Sequence, residues 1–427
     1  MGELKKYKIA FVVDQFPNVS ETFILNQITD MIDRGHEVKI YSFKKEKFEF
    51  VHQVVNQYKL LEKTTYFRYS QRYGINKAAW SFLFVVSNFG ALIREPSFKF
   101  AHPGTVRNAI RNVSLSQSIS AFLRTNSFDI VHAHFGQCGA KIADLIATRE
   151  LGGFKFFTTF HGYDLSPLLV EYYKKKYKNL FNYADGLTVN SPYSREIILS
   201  VCPQPKNLIL LPVGLRTDQF KKKALESDRE TNRFTILFCG RLIAIKGPDF
   251  AIRIMDLLVN RRRLKQIVLR MVGDGNLRNE VERLIHELDL KDHVILLGAL
   301  SQEQVIQEMG KAHLFLLPGI HEKATGRAET QGLVIQEAQA MELPVVVSDA
   351  GGMKYGLMDG VSGFVVKEGD IEGFADRIEL LIKDKELRAA MAKAGRDFVV
   401  ENFDTKVLGD RLSTIYAGKL NASELCS

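Results

Sequence analysis

An α/β fold built on two parallel sheets is predicted by three features of this 427-residue sequence. Short runs rich in Val, Ile, Leu and Phe alternate with longer helical patterns, the mark of βαβ units. The runs fall into two series of six. Between them lies a polar stretch, 216–233, which contains KKKALESDRETNR, lacks apolar periodicity and reads as a linker. The expected organisation is therefore a first domain over 1–213 and a second over 214–403.

The first series opens on Lys8–Val13. Asp14 interrupts this apolar run and no small-residue cleavage site follows, so the segment reads as a strand and not as a secretory leader. Val38–Phe43, Ile130–Ala133, Phe156–Thr159, Gly186–Val189 and Leu208–Pro212 continue it. The second series is Thr235–Cys239, Ile267–Val272, Val294–Leu297, Leu314–Leu317, Pro344–Ser348 and Gly363–Val366. In doubly wound sheets ligands collect at the carboxyl ends of the strands, so motifs there carry most weight.

Hydrophobic residues at 46% and charged residues at 25% exclude a chain disordered throughout and match a protein with sizeable cores. The most apolar stretch, Ala78–Ile93, is broken by Ser81, Ser87, Asn88 and Gly90 and falls short of a membrane span. The four cysteines, Cys138, Cys202, Cys239 and Cys426, form no C-x-x-C pair and have no His at zinc-ligand spacing. A reducing cytoplasm is expected, with neither a disulfide framework nor a metal site.

The net charge of +9 is uneven: residues 1–213 hold 27 Lys+Arg against 17 Asp+Glu, a net of +10. Such a half attracts an anionic partner, or is simply a solvated Lys-rich surface. Within it, 44–77 mixes seven Phe and Tyr with eight Lys and Arg. That composition suits an anionic membrane surface at the inner face, and equally a helix packed on the first sheet. No nucleic-acid module accompanies it, and nucleic acid is not an expected partner.

The chemistry concentrates at strand ends. After Thr235–Cys239 comes Gly240-Arg241-Leu242-Ile243-Ala244-Ile245-Lys246-Gly247-Pro248. Gly240 permits a tight turn, and Arg241 and Lys246 offer a planar fork and a point charge between which a diphosphate fits. After Leu314–Leu317 comes Gly326-Arg327-Ala328-Glu329-Thr330-Gln331-Gly332-Leu333, leading into a helix that carries Glu337. The N–H groups of that helix start, at Gly332 and Leu333, can hold a phosphate oxygen. Glu337 sits about two turns inside, where an apolar neighbourhood demands a partner for its carboxylate. As a hydrolytic acid/base couple Glu329 and Glu337 are badly spaced, roughly 12 Å along the axis. Glu329 on a sugar and Glu337 on a ribose fit better, and a structural pair is the plain alternative.

In the first half, Phe160-His161-Gly162-Tyr163-Asp164 closes a strand. His161 can stand at a reaction centre with Asp164 orienting it, or be a structural strand-end histidine. His132 and His134 read as packing or acceptor-side residues. The first strand leads to Ser20, Glu21 and Thr22, and the Ser20 and Thr22 hydroxyls can cap the next helix or meet a sugar or phosphate. The G-x-G-x-x-G of a dinucleotide-binding protein is missing there, which argues against a nicotinamide dehydrogenase. Gly273-Asp274-Gly275 reads as a structural turn. No D-x-D occurs, so Arg241 and Lys246 are the expected counter-ions to a departing diphosphate and no metal is expected.

These elements together resemble glycosyltransferase family 4, over nearly the whole chain. The resemblance rests on G-R-x4-K-G at 240–247 and E-x7-E at 329–337. HGYD at 161–164, LPVGLRTDQF at 211–220 and FDTKVLGDRLSTIYAGKL at 403–420 add to it. FPNVSETFILNQI and ETQGLVIQEAQA look like the colanic-acid and capsular-polysaccharide branch. The resemblance implies a GT-B fold, two facing Rossmann-like domains with a central cleft, with 404–427 crossing back to the first domain. It implies retaining transfer of a hexose from a nucleotide sugar, UDP-linked by expectation, to a lipid-linked or oligosaccharide acceptor. Arg241 and Lys246 would hold the diphosphate and Glu337 the ribose. Glu329, Gly332 and Leu333 would meet the sugar and phosphate, and His161 the reacting carbon. An epimerase or small-molecule glycosyltransferase of the same fold, or a non-catalytic sugar-binding scaffold, are the competing readings. Glu342, and Met353-Lys354-Tyr355 after Gly351-Gly352, depart from the family pattern.

Overall fold

The computed structural model describes residues 5–18, 21–45, 52–67, 86–92, 103–221 and 233–419, with the backbone alone over 103–111. Two parallel sheets are present. The first contains β1 (Lys8–Gln15), β2 (Glu37–Lys44), β3 (Thr64–Tyr66), β4 (Ile130–His134), β5 (Lys155–Phe160), β6 (Gly186–Val189) and β7 (Leu208–Leu210), in the order β3-β2-β1-β4-β5-β6-β7. The second contains β8 (Phe234–Cys239), β9 (Ile267–Val272), β10 (Val294–Gly298), β11 (Leu314–Leu317), β12 (Val345–Ser348) and β13 (Gly363–Val366), in the order β10-β9-β8-β11-β12-β13. All twelve expected strands are found. β3 was not foreseen: it is three residues long and pairs in parallel with β2 through Ile40–Thr64, Tyr41–Thr65 and Ser42–Tyr66. The expected strand at 208–212 stops at Leu210, just before Pro212, which has no N–H to give a ladder.

Both sheets reverse their order beside the first strand of each series. β1 pairs with β2 on one side and β4 on the other, and β8 with β9 and β11. Those reversals leave crevices at the carboxyl ends of the central strands, the places where such sheets bind ligands.

Two compact units are present: 1–160 with 172–188 and 205–207, and 161–171 with 189–204 and 208–427. In the first, the core strands read as continuous apolar runs because both faces are covered; Ile9, Ala10, Val12 and Val13 are all fully buried. His132 and His134 belong to this core. Their rings stack at 5.0 Å, His132 Nε2 meets Thr159 Oγ1 at 2.7 Å, and burial pushes the His132 imidazole down to about 3. In the second, Leu237, Leu269, Leu316 and Val346 pack against Ile252 and Ile335. The start of the expected linker is anchored there: Phe220 is buried, and Thr217 Oγ1 donates to Asp404 at the start of helix Thr405–Ala417.

Glu342 follows helix Leu333–Ala340 in the left-handed region, at φ +57°. Glycine is the residue that adopts such backbone without steric cost.

Candidate active site

Two neighbouring strand ends build the site in the second unit. β8 ends at Cys239, and a single turn of 3-10 helix, Ala244–Lys246, presents Lys246 before helix Pro248–Asp256 begins. β11, paired with β8, ends at Leu317 and its loop runs to Gly332. Gly332 caps helix Leu333–Ala340 with φ +78°, a conformation that suits glycine, and no side chain caps the helix. An uncapped helix start leaves N–H groups for an anion.

Lys246 Nζ lies 2.5 Å from Glu329 Oε2, with 13% and 17% of the two side chains exposed. The other carboxylate oxygen, Oε1, accepts the Gly332 N–H at 3.1 Å. Burial works against charge on Glu329, but the Lys246 ammonium and the N–H groups of Gln331 and Gly332 outweigh it and hold the carboxyl below its ordinary 4.5. Glu337 stands in the opposite condition. Burial raises it to about 7, Lys246 only partly offsets this, and no described residue hydrogen-bonds its carboxylate. The Cys239 thiol beside them is pushed up to about 12 by burial and then by Glu337, so it stays protonated and acts as packing. Arg241 is exposed and has no ion-pair partner among the described residues.

Two carboxylates on one short segment thus differ in charge state at neutral pH. Glu337→Gln is expected to raise stability at pH 8, where wild type must ionise a buried carboxyl, and to leave it unchanged at pH 4. A folded pKa of about 7 against 4.5 unfolded makes the folded state the stronger proton binder, so stability falls as pH rises through that window. Melting temperatures of both proteins between pH 4 and 8 check this.

His161 is brought to the same place by hydrogen bonds, not by sequence proximity. Thr330 Oγ1 donates to the His161 carbonyl at 2.9 Å, and Asn190 Nδ2 donates to Thr330 Oγ1 at 3.0 Å. Asn190 Oδ1 in turn accepts from Ser194 Oγ at 2.8 Å. Gly162, at φ +104°, allows this approach: a Cβ there would stand 2.2 Å from Thr330 Cγ2. Asp164 holds the main chain at His161: its Oδ1 accepts the N–H groups of His161 and Gly162 at 3.1 and 2.9 Å. Asn190, Thr330 and Gln331 were absent from the sequence-derived site. Gln331 fixes the loop on its other side, exchanging hydrogen bonds with the Val213 backbone at 2.8 and 2.9 Å.

Ser20 lies outside the described residues. The cap position of helix Thr22–Asp33 is Glu21, with no side-chain cap, so Thr22 is the first helical residue and not the cap. Burial and then Asp14 raise Glu21 to about 7, against Lys44, which pairs with Asp14 at 2.6 Å. Of the aromatic and basic stretch 44–77, residues 46–51 and 68–77 lie outside the described residues. Among the described residues no group of three His, Cys, Asp or Glu is placed to hold a metal, and no helix is long and apolar enough to cross a membrane.

Residues 219–398 match the family model for Glycosyl transferases group 1, and residues 20–219 that for Glycosyltransferase Family 4. The amylovoran biosynthesis glycosyltransferase AmsK of Erwinia amylovora is 29% identical, over 86% of this chain and 89% of the relative. WcaL of Escherichia coli, named for colanic acid biosynthesis, is 27% identical over 96% and 99%. Among solved structures, Anabaena Alr3699/HepE in complex with UDP superposes with a TM-score of 0.71 at 17% identity, covering 96% of this chain and 100% of the other. The protein is a glycosyltransferase with the GT-B fold. Within that class, the chain belongs to glycosyltransferase family 4.

Proposed function

We propose that the protein transfers a hexose, with retention, from a UDP-sugar to a lipid-linked or polysaccharide acceptor in cell-surface polysaccharide synthesis. The observation that carries this reading is the cluster at the β8 and β11 ends: Lys246 on Glu329, the helix start at Gly332 without a side-chain cap, and the Glu337 carboxylate, which has no hydrogen-bond partner among the described residues. Amylovoran and colanic acid in the names of relatives, and UDP in the HepE complex, support the same direction.

Arg241 and Lys246 take the donor diphosphate, in the role a divalent ion plays elsewhere. Glu337 accepts the ribose hydroxyls, a bond that uses its ionised form. Glu329 and the N–H of Leu333 meet the sugar and its phosphate. The acceptor hydroxyl attacks the anomeric carbon from the face the phosphate leaves. The bond from that carbon to the phosphate oxygen breaks, the bond to the acceptor oxygen forms, and the departing phosphate oxygen takes the acceptor proton. Negative charge grows on the diphosphate, where fixed cations and N–H dipoles stabilise it without reorganising. His161 lines the reacting carbon.

A thermal-shift series with UDP-, GDP-, ADP- and dTDP-sugars tests the donor. A UDP-sugar at 100 times its Kd adds about 2.7 kcal/mol to stability and raises the melting temperature, in EDTA as well as without it. A larger shift with another nucleotide sugar, or a shift abolished by EDTA, overturns the donor or the metal-free reading respectively.

A further inference from the structure

The turn after His161 carries a ring that the core does not use. Tyr163 is 70% exposed, more than any other large apolar or aromatic side chain among the described residues. The Arg327 guanidinium lies over it, 5.1 Å from the ring centroid. Arg327 is a cation without an acid. No described carboxylate pairs with it, and its Nε, shut off from water, has no hydrogen-bond partner among the described residues. A buried donor left unmade costs about 1–3 kcal/mol, so each such group calls for an explanation.

The surroundings say what kind of acceptor group would satisfy it. Arg327 is held by its backbone, whose carbonyl accepts the Glu322 N–H at 2.8 Å. Ser166 Oγ donates to the Thr325 carbonyl at 2.7 Å and ties this loop to the one that follows His161. On that second loop Leu168 and Leu169 are 63% and 42% exposed. Leu168 packs on Gly326, where an added Cβ would stand 2.8 Å from Leu168 Cγ. An unpaired guanidinium therefore sits between an exposed aromatic ring and exposed leucines. Guanidinium takes phosphate in a planar fork, and apolar side chains beside it favour an amphiphile over a free anion.

We propose that Tyr163, Leu168 and Arg327 form an acceptor subsite for a diphosphate ester carrying an isoprenyl chain. The phosphate sits on Arg327, the first isoprene units lie on Leu168, and the Tyr163 ring supports the sugar that the ester carries. This rests on the glycosyltransferase reading with a lipid-linked acceptor and adds the place where that acceptor binds.

The test is calorimetric titration of full-length protein, saturated with UDP, with farnesyl diphosphate as the soluble probe. Binding is expected, with farnesol and inorganic pyrophosphate each at least tenfold weaker. Arg327→Gln is expected to weaken farnesyl diphosphate at least tenfold and Tyr163→Ala several-fold, while UDP affinity in both stays within twofold of wild type and shows that the site is folded. Farnesyl diphosphate that binds Arg327→Gln as tightly as wild type overturns the proposal, as does farnesol or pyrophosphate binding equal to it. The same titration on Lys246→Ala separates this proposal from the donor reading. Probe binding that survives there locates it away from the diphosphate clamp; binding lost there but kept in Arg327→Gln assigns the probe to the donor site and sinks the subsite. Failure of UDP to bind wild type strikes the donor reading alone.

Discussion

Lys246→Ala is expected to lower kcat/KM for the donor about 10³-fold, with the loss shared between donor affinity and turnover. Two physical terms act together. The ammonium is a fixed charge where the leaving diphosphate gains negative charge, and removing one preorganised contact of that kind costs about 10²–10³ in rate. It also holds Glu329 ionised in a mostly buried place, 2.5 Å away. Without it, burial lifts both Glu329 and Glu337, and two carboxyls compete with a phosphate for the same space. The Glu329 carboxyl is held below 4.5 in the fold, so the pair stabilises the protein above that pH and the contribution fades as pH falls through the folded value. Lys246→Ala should therefore melt lower than wild type at pH 7 and approach it in acid. Arg241→Ala is the control, because Arg241 is exposed and has no ion-pair partner among the described residues. It should lose donor affinity without losing stability. Steady-state kinetics with full wild-type donor efficiency in Lys246→Ala would remove the diphosphate assignment.

Glu329→Gln is expected to reduce turnover about 10²-fold and, at the same time, to bind UDP more tightly than wild type. The first effect is loss of a charged contact to the sugar. The second follows from the ion pair in which Glu329 holds the ammonium that a diphosphate needs. A nucleotide must break that pair before it gains Lys246, whereas glutamine offers a neutral and weaker competitor. UDP lacks the sugar and loses nothing by the change. Calorimetry with UDP, and turnover with the donor that the thermal series selects, read the two effects separately. A drop in UDP affinity of more than a few-fold would show that Glu329 assists the diphosphate and does not compete with it.

Most of the sheet strands were legible because they are buried on both faces and read as near-continuous apolar runs, Leu314–Leu317 being the plainest. β3 was not, since Thr64-Thr65-Tyr66 is too short to show a pattern and owes its extended form to pairing with β2. Lys246, Glu329 and Glu337 could be found because strand, turn and helix start fix them within a few residues of one another. The bonds that bring His161 to Glu329's loop join residues 140 and 169 positions apart, and no local spacing encodes them. The same holds for Gln331, whose side chain mimics a strand neighbour for Val213, 118 residues away. Glu342 shows the reverse case, in which a departure from the family pattern proved to be a left-handed turn residue that a side chain can tolerate.

The lock between Gly162 and Thr330 limits how this protein can be recombined with its relatives. A chimera that exchanges 161–164 without 329–332 would meet either a methyl group where none fits or a carbonyl left without its hydroxyl. The two segments act as one unit, although 168 positions separate Gly162 from Thr330. Swaps intended to change sugar preference should carry both, with Asn190 between them, or they will report on a damaged seam and not on specificity.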